Sequence, residues 1–131
     1  MNLRGPLLSW ALLAATSCGG GDGGTASNPV PGTLNINLNS PNSDDGAVLF
    51  TVSGGPIDSV IPESYTTFST RVDANTRRVV VAGDIVDGIL VRIHVPDVSR
   101  AKDYSATLGQ VASRTSHALH SVGPYSITVS R

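Results

Sequence analysis

The sequence predicts an all-β fold, a single β-sandwich of about eight short strands, on three observations. Apolar and polar residues alternate with period two in segment after segment from Thr33 onward. Turn-forming clusters of Gly, Pro, Asn, Asp and Ser separate those segments at intervals of roughly 8–12 residues. No internal repeat is visible, and no stretch of that region carries a clear helical period.

The segments come in this order. Leu34, Ile36 and Leu38 alternate with Asn35, Asn37 and Asn39, which places three apolar side chains on one face of a first strand. Asn is a poor strand former, so burial of that face must hold the segment. Pro41 to Gly46 is a turn by composition. The next strand, AVLFTVS, sets Val48, Phe50 and Val52 on one face and Leu49 and Thr51 on the other, until Gly54-Gly55-Pro56 bends or bulges it. Ile57 to Ile61, closed by Pro62, reads as a short edge strand, and Tyr65 to Val72 as another strand. From Arg77 to Val95 two β-branched runs flank Gly83-Asp84-Ile85-Val86-Asp87-Gly88, a hairpin or a short excursion. Ile89, Val91, Ile93 and Val95 share a face there, as expected of a central strand, opposite Leu90, Arg92 and His94. Pro96-Asp97 ends it, and Val98 to Lys102 reads as loop. Tyr104, Ala106 and Leu108 then alternate with polar neighbours, and the register shifts near Gly109; a helix over Gln110–Leu119 is an alternative for the next segment. Tyr125, Ile127 and Val129 mark a C-terminal strand.

Residues 33–131 are long enough for one domain with its own core. Cys18 is the sole cysteine, so no disulfide braces this domain, and its stability must come from buried Val, Ile and Leu. Charges are scattered, with Lys102 the single lysine and no block of one sign, so nucleic acid is not an expected partner.

Candidate chemistry is sparse. His117 and His120 have a His-x-x-His spacing, and His94 lies on the polar side of its strand, but no cysteine remains to complete a zinc set, so surface histidines are the expectation. Asp44, Asp45, Asp84, Asp87, Asp97 and Asp103 can supply loop oxygens for Ca²⁺ at one end of a sandwich. Asp-Gly is equally the ordinary chemistry of tight turns and accounts for Asp45-Gly46 and Asp87-Gly88, so no metal ligand and no cofactor is assigned. The chain has no G-x-S-x-G elbow, no phosphate-binding loop and no His-Glu-x-x-His, and Glu63 is its one glutamate. No catalytic residue is assigned, and a non-enzyme is expected. Trp10, the one tryptophan, lies ahead of the 33–131 domain, so a sugar-stacking face there has only Tyr65, Tyr104, Tyr125, Phe50 and Phe68 to draw on.

The N-terminus adds an address. Arg4 gives the first residues a positive charge, Leu7 to Ala15 is almost wholly apolar, and Ala15-Thr16-Ser17 leads into Cys18 and GGGDGG. The apolar run is too short to span a bilayer, which takes about 20 residues, and it has the layout of a secretory signal. This stretch resembles the start of a bacterial lipoprotein precursor, with Ala15 where the family prefers Leu. The resemblance implies a signal peptide over 1–17, a lipidated Cys18 as the mature N-terminus, and a flexible tether over 18–32 ahead of the 33–131 domain. It further implies a membrane held through that lipid as partner, in the cell envelope, and the outer membrane if the organism has one, because Gly19 replaces the retention aspartate.

The order AVLFTVSGGPIDSV and then RVVVAGDIVDGILVRIHV is similar to cohesin-like sandwich domains, within a broader immunoglobulin-like layout. Such domains bind other proteins at bacterial surfaces through a flat sheet face. The resulting expectation is a non-enzymatic binding or structural module that contacts an envelope protein. The alternative is a small carbohydrate-binding or hydrolytic domain using the loop aspartates and tyrosines.

Overall fold

The computed structural model describes residues 27–131; the signal peptide over 1–17 and Cys18 lie outside them. Nine strands form two antiparallel sheets: β1 (Gly32–Asn39), β2 (Asp45–Ser53), β3 (Ser59–Pro62), β4 (Thr66–Asp73), β5 (Thr76–Ile85), β6 (Gly88–Val95), β7 (Ser105–Ser113), β8 (Leu119–His120) and β9 (Ser126–Ser130). One sheet has the order β3-β6-β1-β9 and the other β4-β5-β2-β7-β8. The domain is a single all-β sandwich, as the alternation predicts.

The core is built from the faces read in the sequence. Leu34, Ile36 and Leu38 from β1 meet Val48, Phe50 and Val52 from β2, all buried, with Val79, Val81, Val91, Ile93, Val95 and Val111 completing the layer. Full burial of such side chains stabilises by about 1.5–3 kcal/mol each before chain entropy is set against it. The asparagines of β1 face outward, and Asn37 Nδ2 donates to Ser130 Oγ across to β9 at 2.9 Å. β3 is an edge strand against β6, and β6 is central, between β3 and β1.

Four expectations need correction. The Arg77–Val95 segment is not a hairpin: β5 pairs with β4 and β2, whereas β6 pairs with β3 and β1, so Val86-Asp87 carries the chain from one sheet to the other. Both arms have a β-branched inner face, and stacking them across the core buries both faces at once. Leu90, placed outward by strict alternation, is fully buried, because β6 has an extra residue where Ile36 pairs with Val91 and Asn37 with Ile89. Val98–Asp103 is a 3₁₀ helix, not a loop, and Asp97 caps it by accepting from Ser99 N. The Gln110–Leu119 stretch is not helical: β7 runs on to Ser113, a turn comes next, and β8 returns to pair Leu119 with Ala112 and His120 with Val111. The register slip foreseen near Gly109 is present, as an irregularity between Leu49 and Phe50 of the facing strand β2.

Candidate functional site

Three features remain once the core is accounted for. The first lies at the end of the sandwich where β2 begins and β8 finishes. Asp44 and Asp45 come from the turn before β2 and its first residue, and His120 closes β8. Asp45 is fully buried. Tyr125 OH donates to its Oδ1 at 2.8 Å, and Ser40 Oγ donates to its Oδ2. Asn42 Nδ2 in turn donates to Tyr125 OH at 2.7 Å. Ser113 Oγ donates to Asp44 Oδ2 at 2.7 Å, and Arg114 N donates to Asp44 O at 2.6 Å. His120 Nε2 lies 3.4 Å from Asp44 Oδ1 and 3.8 Å from Asp45 Oδ1, and its ring stacks loosely on Tyr125. Among the described residues, these three groups are the ones whose atoms can hold a metal ion together. The order of contacts is Ser113 to Asp44, with the imidazole beside the carboxylates and not on the hydroxyl, so the nucleophile-to-base hydrogen bond of a Ser-His-Asp triad is missing.

The structure divides the loop aspartates. Asp44, Asp45, Asp84 and Asp87 lie at this end, where Asp84 pairs with Arg114 at 2.6 Å and Asp87 accepts from Ser40 N. Asp97 and Asp103 lie at the opposite end, engaged by Ser99 and Arg100 respectively. A single calcium site drawing on all six is therefore excluded by topology. The histidines also separate: His94 pairs with Asp58 on the strand surface at 3.0 Å, and His117 is exposed with φ at 59°. Only His120 joins the aspartates. Its partners are about 75 residues away in sequence, so the His117/His120 spacing gave the wrong pair.

The second feature is a cleft of about 350 Å³ at the other end, walled by Pro29, Pro56, Pro96 and Tyr104 over Gly54 and Gly55. Tyr104 OH donates to Pro56 O at 2.6 Å. Val30, just ahead of the first strand, is held here: its N donates to Asp97 Oδ1 at 3.2 Å and its O accepts from Val98 N at 2.8 Å.

The third is the outer face of the five-stranded sheet. Register aligns Phe68, Val80, Leu49 and Gln110 in one row, Thr66, Ala82, Ala47 and Ala112 in the next, and Thr70, Arg78, Thr51 and Thr107 on the other side. Arg78 is the one charged residue of these twelve. Phe68 is 68% exposed and Val72 56%, both on β4, whose outer edge has no partner strand among the described residues.

Titration is governed by these contacts. The Ser113 hydroxyl holds the Asp44 carboxyl below the ordinary carboxylate value, and the Ser99 hydroxyl and Val30 N–H do the same for Asp97. Burial raises Tyr125 and Tyr104 above the ordinary phenol value. A carboxyl depressed in the folded state contributes stability above its unfolded value and loses it as pH falls through the folded one. The melting temperature should therefore decline steadily below about pH 4. Asp44→Asn and Asp97→Asn should each flatten that decline in a thermal-melt series; parallel curves for wild type and both variants would show that these carboxyls keep ordinary values.

Comparison of the chain with protein-family models, with curated proteins and with solved structures gave no match, so the functional reading rests on the sequence and the geometry.

Proposed function

We propose that the protein is a lipid-anchored envelope lipoprotein whose β-sandwich is a non-enzymatic binding module, meeting a protein partner through the outer face of its five-stranded sheet. The observation that supports this reading is the low charge of the three rows on that face together with the exposure of Phe68 among them. Surface aromatic side chains contribute disproportionately when covered by a partner, and isolated exposed apolar residues are unremarkable until they share one flat face. The Ala and Thr rows beside Phe68 allow a second protein to approach closely. Cys18 and the glycine-rich tether supply the anchor in this reading and leave the domain free to turn its sheet toward a neighbour. No described helix is long and apolar enough to cross a membrane.

The test joins the anchor to the face. Labelled palmitate should mark the wild-type chain in cells, whereas Cys18→Ser should stay unlabelled and unprocessed. Cross-linking on intact envelopes should join the wild type to a discrete protein partner. Phe68→Asp, at an exposed position that leaves stability within about 0.5 kcal/mol, should abolish that adduct. Thr128→Asp, exposed on β9 of the other sheet, should keep it. Equal labelling of wild type and Cys18→Ser removes the anchor, and equal cross-linking of Phe68→Asp and wild type removes the face.

A further inference from the structure

We propose that Asp44, Asp45 and His120 form a binding site for a single divalent transition-type cation, with Zn²⁺ the best chemical fit. The inference is separate from the sheet-face reading and does not depend on it.

The central observation is His120 Nε2. This atom is buried, although the side chain as a whole is 26% exposed, and no well-directed hydrogen bond reaches it; its contact with Asp44 is a 3.4 Å ion-pair approach. A buried ring nitrogen without a well-made hydrogen bond is costly, so native structures rarely retain one without a reason. Two carboxylate oxygens face it, Asp44 Oδ1 at 3.4 Å and Asp45 Oδ1 at 3.8 Å, neither in good hydrogen-bonding geometry. All three atoms nevertheless lie within 4.8 Å of one another. Metal bonds of about 2.0–2.2 Å place the ligands of a tetrahedral site roughly 3.3–3.5 Å apart. The two nitrogen–oxygen separations, 3.4 and 3.8 Å, lie within a few tenths of an ångström of that spacing, and the carboxylate oxygens are within 4.8 Å of each other, close enough for small side-chain adjustments to bring all three onto one ion.

The surroundings fix the ligands' orientation. Asp44 Oδ2 is committed to Ser113 Oγ and Asp45 Oδ2 to Ser40 Oγ, which leaves Asp44 Oδ1 free toward His120. Asp45 Oδ1 retains acceptor capacity beside its bond from Tyr125 OH. Hydrogen bonds of this kind orient metal ligands and tune their basicity. No lysine or arginine among the described residues pairs with either aspartate; Arg114, the nearest in sequence to Ser113, pairs with Asp84. Two carboxylates with no such partner, one of them fully buried, carry the charge that a divalent cation neutralises.

The donor set selects the metal class. One imidazole nitrogen with two carboxylate oxygens suits Zn²⁺ and its first-row neighbours, whereas Ca²⁺ prefers six to eight oxygens and no nitrogen. Three protein ligands leave at least one position for water. A metal held here would join the turn before β2 to β8, a two-residue strand with one neighbouring strand.

The test uses the purified protein after chelator treatment, with Zn²⁺, Co²⁺ and Ca²⁺ as separate probes. Calorimetry should show one Zn²⁺ per chain, and the melting temperature should rise on saturation. Bound Co²⁺ should give a visible absorption band. His120→Asn and Asp44→Asn should each weaken Zn²⁺ affinity at least tenfold and abolish the Co²⁺ band, while far-ultraviolet circular dichroism shows that the sandwich is kept. His117→Asn, at the exposed neighbouring histidine, should bind as the wild type does. The proposal is overturned by absence of saturable Zn²⁺ uptake, by equal losses in His117→Asn and His120→Asn, or by Ca²⁺ binding as tightly as Zn²⁺ with no effect of His120→Asn.

Discussion

Replacing Val91 by Asp should destabilise the domain by about 4 kcal/mol or more, a large share of the 5–15 kcal/mol that holds a typical domain together. Val91 is fully buried on β6 between the two sheets, so the new carboxylate has no water and no cation to meet. Arg92, the next residue, points the other way and makes a half-exposed ion pair with Glu63 at 3.3 Å. Arg92→Gln should therefore stay within about 1 kcal/mol. Urea unfolding of the two variants measures the contrast. Equal midpoints would mean that β6 does not present its β-branched face to the core.

Gly54→Ala should also be costly, by about 3 kcal/mol or more, for a reason that no burial pattern discloses. Gly54 has φ at +118°, and a Cβ there would sit 1.9 Å from Asp103 O. Side-chain movement cannot relieve that contact, because the obstacle is backbone at the junction of the 3₁₀ helix and β7. Gly88 provides the comparison: its φ is +126°, but nothing lies within 4 Å of a Cβ built on it. Gly88→Ala should thus show backbone strain alone, about 1–3 kcal/mol. Gly54→Ala should exceed it in a paired denaturation experiment. A smaller loss at Gly54 would show that the β2 end and the β7 start can separate without penalty. The cleft beneath Pro56 and Tyr104 depends on the same close approach, since a Cβ on Gly55 would lie 2.9 Å from the Tyr104 ring.

Alternation determined much of this protein from sequence alone. A period of two allows only one face of each strand to be apolar, so Leu34, Ile36, Leu38, Val48, Phe50, Val52, Val91, Ile93 and Val95 were legible as core before any pairing was known. The absence of cysteine after Cys18 likewise required the core to hold the domain without disulfides. Local pattern carries no information about which strand lies beside which. The Arg77–Val95 arms have the composition of a hairpin, yet they stack across the core because both inner faces need covering. Leu90 became interior through a bulge that exists only once β6 is paired with β1. The Asp–His cluster is the clearest case. Asp44 and Asp45 have turn chemistry, and His120 has a nearer and irrelevant partner in His117. The order β2-β7-β8 sets His120 beside the turn that precedes β2. Convergence of side chains from distant segments is a property of strand order and register, and only the tertiary structure fixes those, because the free energy that selects them is the burial of all the apolar faces together.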